Sequence, residues 1–228
     1  DPCREDVPAR GASADALRVT RERLLVDIYL GTAVLVIDAT HEGETSPTAV
    51  NLAVVTAQVG HDVQLIVPAG SGEFREHLAA ALTLDEGDDG YSASRTVPTL
   101  GVFTATDAGD ERQGDLLLTE QTHAAIIGAD SETLTFIVLP VTAHPASILA
   151  GLRIAQSVVV VAKEHRTTLT EVRWLKEEAE AIDTPVLGAV VERGARRGAG
   201  RGESGIAWPL AARSERASAR DAGSAGGA

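Results

Sequence analysis

Six short runs of almost continuously apolar, largely β-branched residues constrain most tightly what this chain can fold into. They are Ala33–Asp38, Val63–Val67, Thr99–Phe103, Leu134–Leu139, Ser157–Ala162 and Val186–Val191. A strand with one wet face alternates apolar and polar side chains. A run that is apolar at nearly every position is buried on both faces, as in a parallel sheet. The stretches between these runs carry the other period. Leu169, Val172, Leu175, Ala179 and Ile182 line one helical stripe, which Thr184-Pro185 brings to a stop. Leu17, Leu24, Leu25 and Ile28 form a similar stripe in the first helix. A third helix is predicted from Pro47 to about Val59, with Ser46 as N-cap, Pro47 at the first helical position and Gly60 at C′. Further helices are expected near 74–82, 114–128 and 146–155. Parallel strands joined through helices need both sheet faces covered. The expected fold is therefore α/β, a three-layer sandwich with a mostly parallel central sheet in one domain.

Composition narrows the function classes. The chain of 228 residues carries 20 Lys plus Arg against 33 Asp plus Glu, a formal net charge of −13. That sign disfavours a polyphosphate backbone, and 3% aromatics leave little to stack bases on, so nucleic acid is not an expected partner. The single cysteine, Cys3, can form no disulfide within the chain, which suits a reducing compartment. No apolar run reaches the eighteen or so residues of a membrane span. The chain has no Met, so a processed chain or a fragment is expected. From Arg193 onward seven Arg face three acids in a Gly/Ala/Arg/Ser-rich stretch without periodicity. The predicted organisation is a leader over 1–12, one domain over 13–192 and a disordered tail over 193–228, with Trp208-Pro209-Leu210 its one apolar island. Asp85, Glu86, Asp88 and Asp89 are expected to form a solvated acidic loop.

In folds of this type ligands sit at the carboxyl ends of the strands, where the first strand turns into its helix. That turn is Ala39 to Ser46, and the residues around it carry a resemblance. Val34 to Val67 resembles the opening of the P-loop domain of bacterial tyrosine kinases for capsule and exopolysaccharide synthesis, relatives of the partition and septum-site ATPases. In that family a strand leads into a GEGKST loop and then a helix reading T-A-x-N-L-A. Thr48-Ala49-Val50-Asn51-Leu52-Ala53 matches that helix and Ala57-Gln58-Val59-Gly60 its end. Ala14-Asp15-Ala16-Leu17-Arg18 is similar to the family's E-A-x-R-x-L-R helix. Pro140–Pro145 looks like the segment after its second acidic motif, and Arg166–Gly188 like its last helix and strand. The resemblance spans about 14–191 in order, and it implies a P-loop NTPase-like fold.

The same alignment places losses at the chemical positions. The phosphate-cradling lysine falls at Thr45 and the loop glycines at Glu42 and Glu44, with Gly43 a partial substitute; Ser46 keeps the type of the magnesium-ligating hydroxyl. The chain's two lysines, Lys163 and Lys176, are far from this loop in sequence. The family's paired aspartates fall at Val67 and Ala69, and its later aspartate at Leu139 or Pro140. Phosphate binding needs close backbone N–H groups and a cation on the β and γ phosphates. Two loop carboxylates oppose it: at ~5 Å and an effective dielectric near 20, each like-charge pair costs roughly 3 kcal/mol. A helix N-terminus returns only about 0.3–1 kcal/mol per charge. Without metal-binding aspartates, magnesium cannot make up the difference.

No other constellation stands out. His41, His61, His77, His123, His144 and His165 are scattered, without the i,i+4 pairing or cysteine partners of a metal site. His41 with Glu44 could do acid–base work, but as loop residues they read more simply as surface groups. Ser46 reads as a helix cap, and Tyr29 and Tyr91 are the only tyrosines, so the C-terminal tyrosine cluster of the kinases is absent. The resemblance thus implies a catalytically inactive module with no cofactor, in the cytoplasm at the inner face of the cell membrane, anchored through a segment not in this chain. Its implied partners are copies of itself, a kinase homologue and a polysaccharide-export membrane protein. One alternative keeps weak ATP and magnesium binding through Gly43, Thr45, Ser46 and Thr48, although Pro47 removes one amide there. Another is an unrelated α/β enzyme using the same crevice.

Overall fold

A computed structural model describes residues 12–28, 30–40, 47–67, 72–86, 90–104, 120–127, 132–143 and 145–192. The elements in chain order are α1 (Ala12–Asp27), β1 (Ala33–Ala39), α2 (Pro47–Ala57), β2 (Val63–Val67), α3 (Gly72–Leu82), β3 (Leu84–Glu86), β4 (Tyr91–Ser94), β5 (Leu100–Thr104), α4 (Glu120–Ile127), β6 (Leu134–Pro140), α5 (Pro145–Ile154), β7 (Ser157–Lys163), α6 (Leu169–Ala181) and β8 (Val186–Glu192). All six apolar runs are strands. They pair in parallel in the order β5-β2-β6-β1-β7-β8 within one eight-stranded sheet. Two strands were not anticipated: β3 and β4 form an antiparallel hairpin on the β5 edge. The expected acidic loop therefore needs correction at Asp85 and Glu86, which pair with Ala93 and Ser92 across that hairpin. Asp85 is also held by Arg95, whose Nε donates to its Oδ2 at 2.8 Å. Asp88 and Asp89, the 1–11 leader region and the 193–228 tail with Trp208 lie outside the described residues.

Alternation along the strands divides two cores. Val34, Val36, Leu65, Phe136, Val138, Val159 and Val161 face α1, α2 and α3, whose Leu24, Leu52, Val54 and Leu82 are fully enclosed with them. Leu35, Ile37, Ile66, Ile137 and Val160 face α5 and α6, through Ile148, Leu152, Leu175 and Ala179. Sheet between two helical layers is the expected three-layer arrangement. Each enclosed Leu, Ile, Val or Phe contributes about 1.5–3 kcal/mol by leaving water. In α6 the predicted stripe is buried at Leu175 and Ala179, whereas Leu169, in the first helical turn, is 84% exposed. A capping box starts this helix: the Thr168 side chain accepts from Glu171 N, and Thr168 N donates to Glu171 Oε2 at 2.8 Å.

The carboxyl end of α2 is closed by donors from three sources. A helix leaves its last four carbonyls without internal partners. Gln58 N reaches Val54 O at 2.9 Å, Val59 N reaches Thr56 O at 3.4 Å and Gly60 N reaches Ala57 O at 2.9 Å. Gly60 takes φ 95°, the left-handed conformation expected at C′. Thr99 Oγ1 also donates to Ala57 O at 2.8 Å. The remaining carbonyl, Val55 O, receives the buried Arg21 guanidinium of α1 at 2.9 Å. This bond ties the first two helices into one layer.

Candidate functional site

The strand order reverses around β1. From β1 the chain crosses over β6 to reach β2, and from β6 it crosses over β1 to reach β7. A crevice at such a switch point lies above the carboxyl end of the central strand. Here that end is Asp38-Ala39-Thr40, flanked by β6 and β7.

Asp38 closes the apolar run at 2% exposure. Its Oδ1 accepts from Thr40 N at 2.9 Å, and its backbone carbonyl accepts from Val141 N at 2.7 Å. The local Asx-type bond turns the chain off the sheet. Thr40 is fully enclosed and its Oγ1 has no hydrogen-bond partner. On the β6 side Ile37 pairs with Leu139 and Asp38 with Pro140, so that wall is apolar. On the β7 side Asp38 pairs with Val161 and Ala39 with Ala162. Lys163 follows, and it pairs in turn with Glu192 of β8. Side chains two apart share a face. Lys163 therefore lies on the face of Val159 and Val161, which is also that of Val36 and Asp38, and Glu192 shares it with Val190. Thr167 fastens the two strand ends together: its Oγ1 donates to Ala39 O and accepts from Lys163 N at 2.8 Å. Thus a lysine remote in sequence stands beside the end of β1.

The residues singled out from sequence are distributed as follows. Thr48 lies half-buried in the first turn of α2 and is not without a partner. Val67 ends β2 at 2% exposure in the core facing α1 and α2. Leu139, also 2% exposed, belongs to the opposite core, so the two positions do not converge. Gly43, Thr45, Ser46, Glu42, Glu44, His41 and Ala69 lie outside the described residues, as does His144. His61 is half-buried in the turn before β2, and His165 is exposed, 3.7 Å from Glu164. No cluster of three or more His, Cys, Asp or Glu suited to a metal ion occurs among the described residues. None of their helices is long and apolar enough to cross a membrane. Sequence reasoning missed Asp38, Thr40 and Lys163. The available signal was an acid ending one apolar run and a lysine ending another, and it became a site only when β7 was known to lie next to β1.

No family model and no curated protein matches the sequence. Solved structures do. The kinase domain of the Escherichia coli tyrosine kinase ETK superposes with a TM-score of 0.63 at 18% identity, over 85% of this chain and 80% of that one. The VpsO kinase domain gives 0.58 at 17% identity, over 80% of this chain and 95% of that one. The MinD cell division protein of Aquifex aeolicus gives 0.51 at 11% identity, over 72% and 70%. The chain is similar to these proteins in fold: an α/β, mostly parallel sheet of the P-loop NTPase type.

Proposed function

We propose that this chain is a non-catalytic domain of the P-loop tyrosine-kinase type, acting as a structural or regulatory module in capsule or exopolysaccharide synthesis and export. The observation that supports this most is the chemistry of the carboxyl edge. Val67 at the end of β2 and Leu139 at the end of β6 are packed into hydrophobic cores and Pro140 beside Leu139 has no ionisable group, at the two strand ends where the fold's kinases would need acids to hold magnesium. The loop sequence between β1 and α2 contains no lysine and two glutamates. Phosphoryl transfer consists of positioning plus charge stabilisation, and these residues supply neither.

The module works through its surfaces, by association with itself, with an active kinase homologue or with an export protein at the cell membrane. On α1, Asp15 and Arg18 form an exposed ion pair at 2.7 Å next to Val19, 54% exposed, and about two turns further on Val26 is 82% exposed. Large apolar side chains left in water next to paired charges suit a protein contact. Arg21 is turned inward onto Val55 and does not take part.

A second reading, residual nucleotide binding, is favoured by Lys163 at the crevice and opposed by Asp38 and Glu192 around it. The deciding experiment incubates the full chain with radiolabelled ATP and magnesium, alone and with an active kinase of the same fold. The proposal predicts no phosphate on this chain or released from ATP when it is alone. Turnover that Ser46→Ala abolishes would contradict it. Sedimentation of the wild type against Val26→Glu tests the surface: equal mass at all concentrations would remove self-association.

A further inference from the structure

The two edges of the sheet differ in kind. One is β3, three residues long and acidic, with Asp85 tied to Arg95; a short, charged edge resists further pairing. The other is β8, seven residues long and apolar up to Glu192, and among the described residues it pairs only with β7. Glu192 O accepts from Glu164 N, so the peptide groups of Glu192 and Val190 point toward β7. Strand alternation then turns the N–H and C=O groups of Ala189 and Val191 to the open side. Val186 is 36% exposed there, and Leu187, Ala189 and Val191 are half-buried. Such an edge is a template for one more strand.

The sequence that follows β8 supplies the occupant. The chain continues from Glu192 through residues 193–228, where the apolar island Trp208-Pro209-Leu210 is preceded by Ile206-Ala207. Residues 193–205 between them are mostly Gly, Ala and Arg. A linker of that composition and length spans roughly 18–22 Å, ample for an antiparallel return along an edge about 4.8 Å away. The charges are complementary: from Glu164 to Glu192 seven acids stand against three Lys or Arg, and over 193–228 seven Arg stand against three acids. We propose that Ile206–Leu210 adds to β8 as an antiparallel strand and caps the open edge of the sheet. Pro209 sets its parity. Without an N–H it fits only where its nitrogen points away from β8, which turns the peptide groups of Ile206 and Trp208 onto that strand. With the segment centred on β8, Trp208 stands opposite Ala189 and Ile206 opposite Val191, each pair exchanging two hydrogen bonds. Ala189 packs with Trp174 and Ile182 against the α5–α6 core, so the indole meets apolar neighbours on that face. On the new edge Pro209 opposes any further strand. The cap closes β8 to a second copy and leaves association to surfaces such as α1, whether or not nucleotide binds.

The test is amide hydrogen exchange, followed by NMR, on the full 228-residue chain. Two proline variants differ only in where the lost N–H points: Ile206→Pro removes one aimed at β8, and Ala207→Pro removes one aimed at solvent. Both lie beyond β8 and replace no residue of either core. The Ala189 and Val191 amides should exchange about tenfold or more slowly in wild type than in Ile206→Pro, with Ala207→Pro resembling wild type. Trp208→Ser should exchange as fast as Ile206→Pro. The proposal is overturned if wild type and Ile206→Pro exchange alike, or if the two proline variants lose protection equally. It also fails if protection rises with protein concentration between about 10 μM and 1 mM, because an intramolecular strand is indifferent to concentration and a second copy on the edge is not.

Discussion

Replacing Arg21 with Met probes the joint between the first two helices. The side chain keeps its length and aliphatic packing but loses the donor to Val55 O, a 2.9 Å bond buried between α1 and α2. The other three terminal carbonyls of α2 have separate donors, so Val55 O alone is left unpaired. A hydrogen bond to a charged group contributes about 1.5–3 kcal/mol, and a cation at a partly buried helix C-terminus up to about 2 kcal/mol, which overlaps with it. The neighbouring Glu22 bond adds little, because that carboxylate is 65% exposed. The expected loss is about 2–3 kcal/mol. For a chain of this size that lowers the melting temperature by roughly 4–12 °C. Urea unfolding should show a lower midpoint with an unchanged slope, and Arg21→Lys, which keeps the charge without the planar fork, should fall between the two. A Met variant within about 0.5 kcal/mol of wild type would refute the reasoning, since surface changes typically fall inside that range.

Three further outcomes follow from local geometry. A Cβ at Gly101 would come within 2.7 Å of Tyr91 Cζ, so Gly101→Ala must displace a half-exposed ring from the β5 edge; the expected cost is about 1 kcal/mol by chemical denaturation, abolished in a Tyr91→Ala background. Thr168→Ala removes the α6 capping box and should cost about 1 kcal/mol, most of it recovered by Thr168→Ser. The hydrogen bond from Arg95 holds the Asp85 carboxyl below the ordinary 3.8, against an opposing effect of desolvation and with a lesser contribution from the Arg95 charge. A depressed folded pKa means that this contribution is present above the ordinary value and is lost as pH falls through the folded one. NMR titration should place the Asp85 midpoint below 3.8 in wild type and return it toward that value in Arg95→Gln.

Strands buried on both faces were legible because their apolar runs leave no other use for the residues. Val63–Val67 was read to the residue, and β1, β6, β7 and β8 only one residue short. The β3–β4 hairpin was not legible. Leu84-Asp85-Glu86 and Tyr91-Ser92-Ala93-Ser94 are short and polar, and their pairing comes from partners such as Arg95 and the glycine opposite Ala93, not from their own hydrophobicity. The crevice was half legible. Its location follows from strand–helix order, and the changes at Val67 and Leu139 follow from alignment. Lys163 reaches β1 only through the order of strands in the sheet, which no local pattern encodes.

The proposed function requires that this domain bind no nucleotide. The most direct measurement is calorimetric titration of the full chain with magnesium–ATP up to millimolar concentration. The account predicts no saturable heat, in wild type and in Ser46→Ala alike. Saturable, magnesium-dependent binding at micromolar levels would contradict it.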